Sequence, residues 1–294
     1  MMRVFGFDAY SPEQIANRVQ ESGVAKAQLP LLTLTMLGLL AGAFIALGAL
    51  YYTIVASDDT LGFAVTRVLG GLVFSVGLVL VIVAGGELFT GNNLLAMAWV
   101  DGRISTRELL RNWSVALAAN AVGAAGVALL VLLSGHTEMN GGAVAATAVR
   151  IAAAKTSLPL SKAFVAGILC NVLVCMAVWL SLAGRSVVDK AVAVVLPISA
   201  FVAAGFEHSV ANMYFIPLGI LLRDFVDTTH IAGIDTLDWH GYLRNLVPVT
   251  LGNIVGGSGL VALVYYVIYR SGRRSGSGSS VAAAATARGH ARAR

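Results

Sequence analysis

The sequence predicts an all-α integral membrane protein with six transmembrane helices, and three observations lead to this prediction. Of the 294 residues, 57% are hydrophobic and 12% are charged, whereas soluble domains carry about twice that charged share. Several apolar runs of about 20 residues are long enough to cross a bilayer as helices. Two of these runs are interrupted by polar residues, at Gly85–Asn93 and at Gly205–Asn212.

The elements divide the chain into three regions. Residues 1–28 contain a helix pattern, in which Ser11 suits the N-cap and Pro12 the first turn. Ile15 and Val19 alternate with polar residues, so we expect an amphipathic helix on the cytoplasmic membrane surface. The six-span domain follows at 29–270. The basic Gly/Ser/Ala-rich tail at 271–294 is predicted to be disordered. The predicted spans are 29–56, 66–100, 107–134, 160–184, 190–223 and 246–270.

The distribution of basic residues predicts the orientation of the bundle. With six spans, 14 lysines and arginines lie on the side of the two termini and six lie on the other side. Cytoplasmic loops carry the excess of basic residues. We therefore expect a multi-pass protein of the inner (cytoplasmic) cell membrane with both termini in the cytoplasm.

An internal repeat relates the two halves of the chain. Leu110–Asn112 recurs as Leu243–Asn245, and Asn120–Gly126 recurs as Asn253–Gly259, both 133 residues apart. Each half has three spans, an odd number, so the halves are predicted to be inverted repeats. The broken second and fifth helices then correspond, which is typical of transporters and channels with a pathway at the midplane.

Ionisable residues inside a span are costly, about 2.5–3.5 kcal/mol each on insertion scales, and they usually mark a functional site. His208 is the only histidine placed inside a predicted span. It either lines a pore as a proton donor or anion contact, or it is a neutral histidine bonded to backbone; its place at a helix break favours the first. The hydroxyl of Thr90 either bonds across to His208 or to its own backbone.

The remaining polar residues of the breaks suggest scaffolding. Glu87 and Glu207 are expected to brace the loops by accepting hydrogen bonds from backbone or lysine, and Asn92 and Asn212 are assigned the same role. Asn120 and Asn253 are expected to make hydrogen bonds between closely packed helices. The cysteines, Cys170 and Cys175, have neither metal-site nor helix-stacked spacing and suit small buried side chains.

No nucleotide-binding loop, nucleophile motif or metal-ligand spacing occurs in the sequence. We therefore predict that the protein is not an enzyme, needs no cofactor and binds no nucleic acid. Its partners would be a small solute and the lipid bilayer, with passive or proton-coupled transport. An aquaporin-like channel for neutral solutes and a membrane scaffold or sensor are the alternatives from other classes.

Four stretches in the same order resemble the formate/nitrite transporter family: Gly85–Asn92, Gly167–Trp179, Gly205–Met213 and Asn245–Gly257. The resemblance covers about 20–270. It implies an aquaporin-like fold, a homopentamer, and a pore in each protomer for small monovalent anions of weak acids.

The resemblance also implies roles for particular residues. The central histidine would be His208, with Thr90 and Asn171 near it. Lys155, in the loop between the third and fourth spans, would draw anions into the vestibule. The apolar constrictions would be Leu78 with Phe74 and Phe201 on the cytoplasmic side, and Leu88 on the outside.

Two stretches indicate the substrate: the continuation of the fifth span, Asn212–Ile220, and the sixth-span motif, Asn245–Gly257, are most similar to the formate branch of the family. Gly91–Asn93 departs from the loop of that branch. We favour formate, with nitrite or hydrosulfide as the alternatives within the family, and we expect pH dependence through the central histidine.

Overall fold

In the computed structural model, the described residues 9–269 contain α-helices, π-helical segments and short 3-10 turns, and no strand. The predicted tail at 271–294 lies outside the described residues. The α-helices are α1 (Pro12–Ala27), α2 (Leu31–Ala56), α3 (Phe63–Phe74), α4 (Val76–Leu80), α5 (Phe89–Asn92), α6 (Ala96–Val100), α7 (Thr106–Leu133), α8 (Ala143–Thr156), α9 (Leu160–Ser181), α10 (Val187–Ala204), α11 (Ser209–Leu222), α12 (Trp239–Ile254) and α13 (Val264–Tyr269). The π-helical segments are Val81–Gly85 and Val255–Leu263.

Six stretches of the described residues are long and apolar enough to cross a membrane, as the sequence predicted. They are Leu31–Ala56, Phe63–Gly85, Thr106–Leu133, Leu160–Ser181, Val187–Ala204 and Trp239–Tyr269. Apolar side chains on their outer faces are exposed, among them Leu32, Leu130 and Leu196, as expected for helices in contact with lipid or with another protomer. The protein is therefore an all-α, multi-pass membrane protein.

The fifth span ends in the interruption that the sequence indicated, but the interruption is shorter than predicted. Helix α10 ends at Ala204, Gly205 has a left-handed φ of 76°, and α11 already begins at Ser209. The prediction that the break extends to Asn212 was wrong. His208 is the N-cap of α11, and its side chain accepts the N–H of Ala211, which starts the helix early.

The segment between the third and fourth spans, which the sequence interpretation treated as a loop, contains α8. This helix packs against α11. Its absence from the prediction has a physical reason, since its alanine-rich sequence carries little helical periodicity. One signal could have revealed it: Lys26–Pro30 at the end of α1 recurs as Lys155–Pro159 at the end of α8, 129 residues later.

The sixth span begins at Trp239 and not near residue 246. Asp238 is the N-cap of α12, and its Oδ1 accepts the N–H of Gly241 at 2.6 Å. His240 therefore lies in the first turn of a span, which corrects the expectation that His208 is the only histidine in one.

The N-terminal helix α1 has the predicted N-cap, because the Ser11 side chain accepts the N–H of Gln14. Its apolar face, however, is covered by protein. Ile15 and Val19 are buried in a cluster with Met97 and Trp179. The prediction that this face lies on lipid was wrong, since α1 packs on α6, α7 and α13 at one end of the bundle. We call this end the α1 end.

Glycines on α7 and on the π-helical segment after α12 set two close helix contacts. A Cβ on Gly123 would overlap the backbone of α2, and one on Gly256 would overlap the backbone of α9. A Cβ on Gly126 or Gly259 would meet nothing within 4 Å. The two glycines of each half therefore differ in the same way, and the first of each pair allows two helices to approach closely.

This difference predicts opposite effects for two substitutions on one helix. Gly123→Ala is expected to destabilise the protein by about 1–3 kcal/mol, because the added methyl group pushes α7 away from α2. Gly126→Ala is expected to be neutral or stabilising by up to about 1 kcal/mol, since alanine favours the helix over glycine. Thermal unfolding of both variants in the same detergent measures the difference; equal midpoints would contradict the close contact.

Candidate functional site

The second break, which is the interruption between α10 and α11, is anchored by a carboxylate that lies inside the bundle. Glu207 is 3% exposed, and its Oε1 lies 2.8 Å from Nζ of Lys155. Asn212 Nδ2 donates to Glu207 Oε2 at 2.6 Å and to Oδ1 of Asn245 at 2.7 Å. The carboxylate is thus paired and hydrogen-bonded, which is the condition under which a charge persists in the interior.

The first break, which lies between the π-helical segment Val81–Gly85 and α5, has the same arrangement. Glu87 Oε1 lies 2.7 Å from Nζ of Lys26, and Asn92 Nδ2 donates to Glu87 Oε2 at 2.7 Å. Asn92 Nδ2 also donates to Asn112 Oδ1 at 2.9 Å. Both glutamates therefore accept hydrogen bonds from a lysine and an asparagine, in the geometry expected of braces.

Asn253 holds the backbone of the second break at two points and that of α9 at a third. Its Nδ2 donates to the carbonyl of Gly167 at 2.8 Å and to that of Glu207 at 3.0 Å. Its Oδ1 accepts the N–H of Ser209 at 3.0 Å. The sequence predicted a hydrogen bond between packed helices but not this clamp, in which one amide joins α9 to both ends of the broken segment.

Asn120 makes the corresponding clamp at the first break. Its Nδ2 donates to the carbonyls of Gly38 at 2.7 Å and Glu87 at 3.0 Å, and its Oδ1 accepts the N–H of Phe89 at 2.9 Å. The repeat found in the sequence thus extends to individual side-chain contacts. The inverted orientation of the two halves stays a prediction.

The two breaks differ at their centre. When Glu87 is aligned with Glu207, His208 corresponds to Leu88 and Val210 corresponds to Thr90. Nε2 of His208 lies 3.0 Å from Oγ1 of Thr90, and both residues are buried. The repeat therefore brings one imidazole and one hydroxyl together between the two breaks.

The tautomer of His208 follows from its hydrogen bonds. Its Nδ1 accepts the N–H of Ala211 at 3.0 Å, so the proton of the neutral ring is on Nε2. Nε2–H then donates to the oxygen of Thr90, and the hydroxyl hydrogen of Thr90 is free to donate elsewhere. A proton on Nδ1 as well would place two N–H groups face to face, which favours the neutral ring.

Two phenylalanines stack beside this pair. The ring of Phe201 lies 5.7 Å from the imidazole of His208 with an interplanar angle of 19°, and Phe74 meets Phe201 edge to face at 5.7 Å. These rings cover one side of the imidazole with apolar surface.

The leucines lie on a different part of the site. Leu78 and Leu88 line one cavity of about 320 Å³ at the α1 end. Leu88 was expected opposite Leu78, but the two leucines share this cavity. Phe74 and Phe201 do not line it and instead contact each other beside His208.

Helix α1 forms part of the wall of this cavity. Val19, Ser22, Gly23 and Lys26 line it, together with Leu182 at the end of α9. Leu78 and Leu88 line the same cavity, whereas Thr90 and His208 do not. The cavity is therefore a vestibule beside the first break, with α1 in its wall.

Asn171 contacts the Thr90 end of the centre, whereas Lys155 contacts the glutamate of the second break. Lys155 lies on the last turn of α8 and not in a loop, and its side chain is 15% exposed because it pairs with Glu207. Asn171 is 0% exposed, and its Nδ2 donates to the carbonyls of Thr90 at 3.2 Å and Asn253 at 2.7 Å. Asn171 thus joins the centre to the second clamp.

A fold with six spans, two matched breaks and a buried imidazole between them is that of a membrane channel or transporter. The family model of the formate/nitrite transporter matches residues 13–267. The chain belongs to the formate/nitrite transporter family.

Particular relatives are similar over most of their length. Formate channel FocA of Escherichia coli (strain K12) is 39% identical over 272 residues, which cover 90% of this chain and 95% of that protein. Formate channel BtFdhC of Bacillus thuringiensis is 40% identical over 265 residues, covering 89% and 96%. A solved structure described as a pentameric formate channel with formate bound has a TM-score of 0.76 and 37% identity, covering 81% of this chain and 97% of that one.

Proposed function

We propose that the protein passes formate through a pore in each protomer of a homopentamer, in the inner (cytoplasmic) membrane with both termini in the cytoplasm. The observation that carries this proposal is the Thr90–His208 pair, buried between two matched helix breaks. Relatives at 39% and 40% identity are named formate channels. The pentamer is supported by the similar structure, which is described as pentameric with formate bound.

The charges around the breaks suit an anionic solute. Each of the buried carboxylates, Glu87 and Glu207, is neutralised by a lysine, Lys26 or Lys155. A solute anion is therefore not repelled by an unpaired carboxylate. The N-terminus of α11, a regular 14-residue helix, also favours negative charge near the centre.

The apolar groups impose a barrier to the anion itself. Leu78 and Leu88, which line the vestibule, and Phe201 beside the imidazole offer no partner for a charge. An unpaired ion in such surroundings is costly, whereas a neutral acid is not. The solute therefore crosses as the neutral acid. Its proton comes from the aqueous vestibule and passes to it at the centre, where the hydroxyl of Thr90, polarised by Nε2–H of His208, donates a hydrogen bond, so that neither side chain changes its charge.

This mechanism fixes the sign of the pH dependence. Lower pH supplies more protons to the vestibule, so passage of the weak acid is expected to rise as pH falls. Chloride, the anion of a strong acid, is not neutralised and is expected to be excluded. The same reasoning allows nitrite or hydrosulfide as the substrate, since both are anions of weak acids.

The choice of substrate is tested with the full-length protein in liposomes. We expect formate to enter faster than nitrite, hydrosulfide or lactate in a stopped-flow comparison at equal gradients. Chloride should enter no faster than in protein-free liposomes. Nitrite or hydrosulfide flux above that of formate would assign the protein to another branch. Rapid osmotic water flow without any anion flux would instead support an aquaporin-like channel.

A further inference from the structure

The segment after the first break has an unusual set of hydrogen bonds. Helix α5 is only four residues long and leads directly into the 3-10 turn Asn93–Leu95. Within residues 89–93, four carbonyls accept hydrogen bonds from side chains. Asn93 Nδ2 donates to Phe89, Asn171 Nδ2 and Cys175 Sγ to Thr90, Trp113 Nε1 to Asn92, and Ser258 Oγ to Asn93. The carbonyl of Gly91 accepts a backbone N–H. The surrounding protein therefore holds this short segment residue by residue.

The carbonyl of Thr90 receives two of these donors. Asn171 Nδ2 lies 3.2 Å and Cys175 Sγ lies 3.4 Å from it, and all three residues are 0% exposed. A thiol is a weak donor, but in a buried site an additional donor restricts the peptide plane. The corresponding residue of the second break, Val210, lies in a regular helix and carries no hydroxyl.

We propose that Cys175 is a positioning residue, whose thiol, together with Asn171, fixes the Thr90 carbonyl so that the Thr90 hydroxyl meets His208 Nε2. This inference rests on the proposed function of the Thr90–His208 pair. Cys170 offers a matched comparison, because it is also 0% exposed on α9 while its thiol is not bonded to Thr90. The two cysteines, which look equivalent in the sequence, thus have different roles.

Removing the thiol should loosen the centre without removing any of its groups. In Cys175→Ala the Thr90 carbonyl keeps only Asn171 of its two side-chain donors, so the hydroxyl meets the imidazole for a smaller part of the time. One hydrogen bond of this kind corresponds to about a three- to tenfold change in an equilibrium. Cys175→Ser keeps a donor at the same place and is expected to restore the wild-type behaviour.

The experiment combines a spectroscopic and a transport measurement on full-length protein in lipid. In ¹⁵N-histidine-labelled protein, the His208 ring signals are identified by their loss in His208→Asn. We expect Cys175→Ala to shift the Nε2 signal and to lower formate flux at neutral pH about three- to tenfold. Cys175→Ser and Cys170→Ala should match the wild type in both measurements.

The outcomes separate this inference from the function on which it rests. A His208 signal and a pH profile of flux in Cys175→Ala equal to those in Cys170→Ala would overturn the positioning role. Absence of formate flux in the wild type would instead overturn the proposed function, while the spectra would still decide the contact. Should Cys175→Ala fail to assemble, Cys175→Val, which fills the site without a donor, takes its place.

Discussion

Asn253→Leu is expected to be among the most destabilising single substitutions in this protein. Leucine matches asparagine in shape but leaves the carbonyl of Glu207 and the N–H of Ser209 without their buried partner, and it removes a second hydrogen bond from the Gly167 carbonyl inside α9. An unsatisfied buried group costs about 1–3 kcal/mol, so two predict a loss of about 2–6 kcal/mol. Thermal unfolding in detergent should show a midpoint lowered on the order of 10 °C.

The first break supplies the matched variant for this prediction. Asn120→Leu removes the same three contacts from the other half and should produce a loss of similar size. Ser199→Ala, which removes one exposed hydrogen bond to Leu196, is the control and should leave the midpoint within about 1 °C. Should Asn253→Leu unfold like Ser199→Ala, the clamp does not stabilise the break.

His208→Phe is expected to have the largest effect on transport. Phenylalanine removes both the Nε2–H that faces Thr90 and the Nδ1 that accepts the Ala211 N–H. Without the imidazole, the centre no longer assists transfer of a proton to the solute, and positioned proton donors contribute about 10²–10⁴-fold in comparable reactions. We expect formate flux at neutral pH to fall by at least about tenfold and the wild-type pH profile to be lost.

His208→Asn distinguishes a lost proton donor from a damaged helix start. An asparagine side chain is a good N-cap, so this variant keeps α11 anchored while the imidazole is absent. We expect it to unfold at nearly the wild-type temperature and still to lose the wild-type pH profile. A His208→Phe protein that retains that profile would remove protonation at the centre from the mechanism.

Much of the fold could be predicted because membrane helices are specified locally. Length and apolar character alone identify the six spans. The polar residues that interrupt them, such as Glu87 and Glu207, stand out because charge in hydrocarbon is rare. The sequence predicted that both glutamates accept hydrogen bonds from backbone or lysine, because a buried carboxylate persists only when it is paired or hydrogen-bonded. The structure places a lysine beside each one.

Other features depend on contacts that a linear pattern does not contain. Helix α8 was missed because its alanines carry little periodicity and its stability comes from packing on α11. The pairing of Leu78 with Leu88 in one vestibule depends on where two broken helices meet in space. The different surroundings of Cys170 and Cys175 likewise depend on α5, which is distant in sequence.

The most direct test of this account compares formate and chloride flux into liposomes that contain the wild-type protein, at one acidic and one neutral pH. The account predicts that formate enters well above the protein-free rate at both pH values and faster at the acidic one. Chloride should remain at the protein-free rate throughout. Chloride entering as fast as formate, or formate entering no faster than without protein, would contradict a pathway that admits a small weak acid through the Thr90–His208 centre.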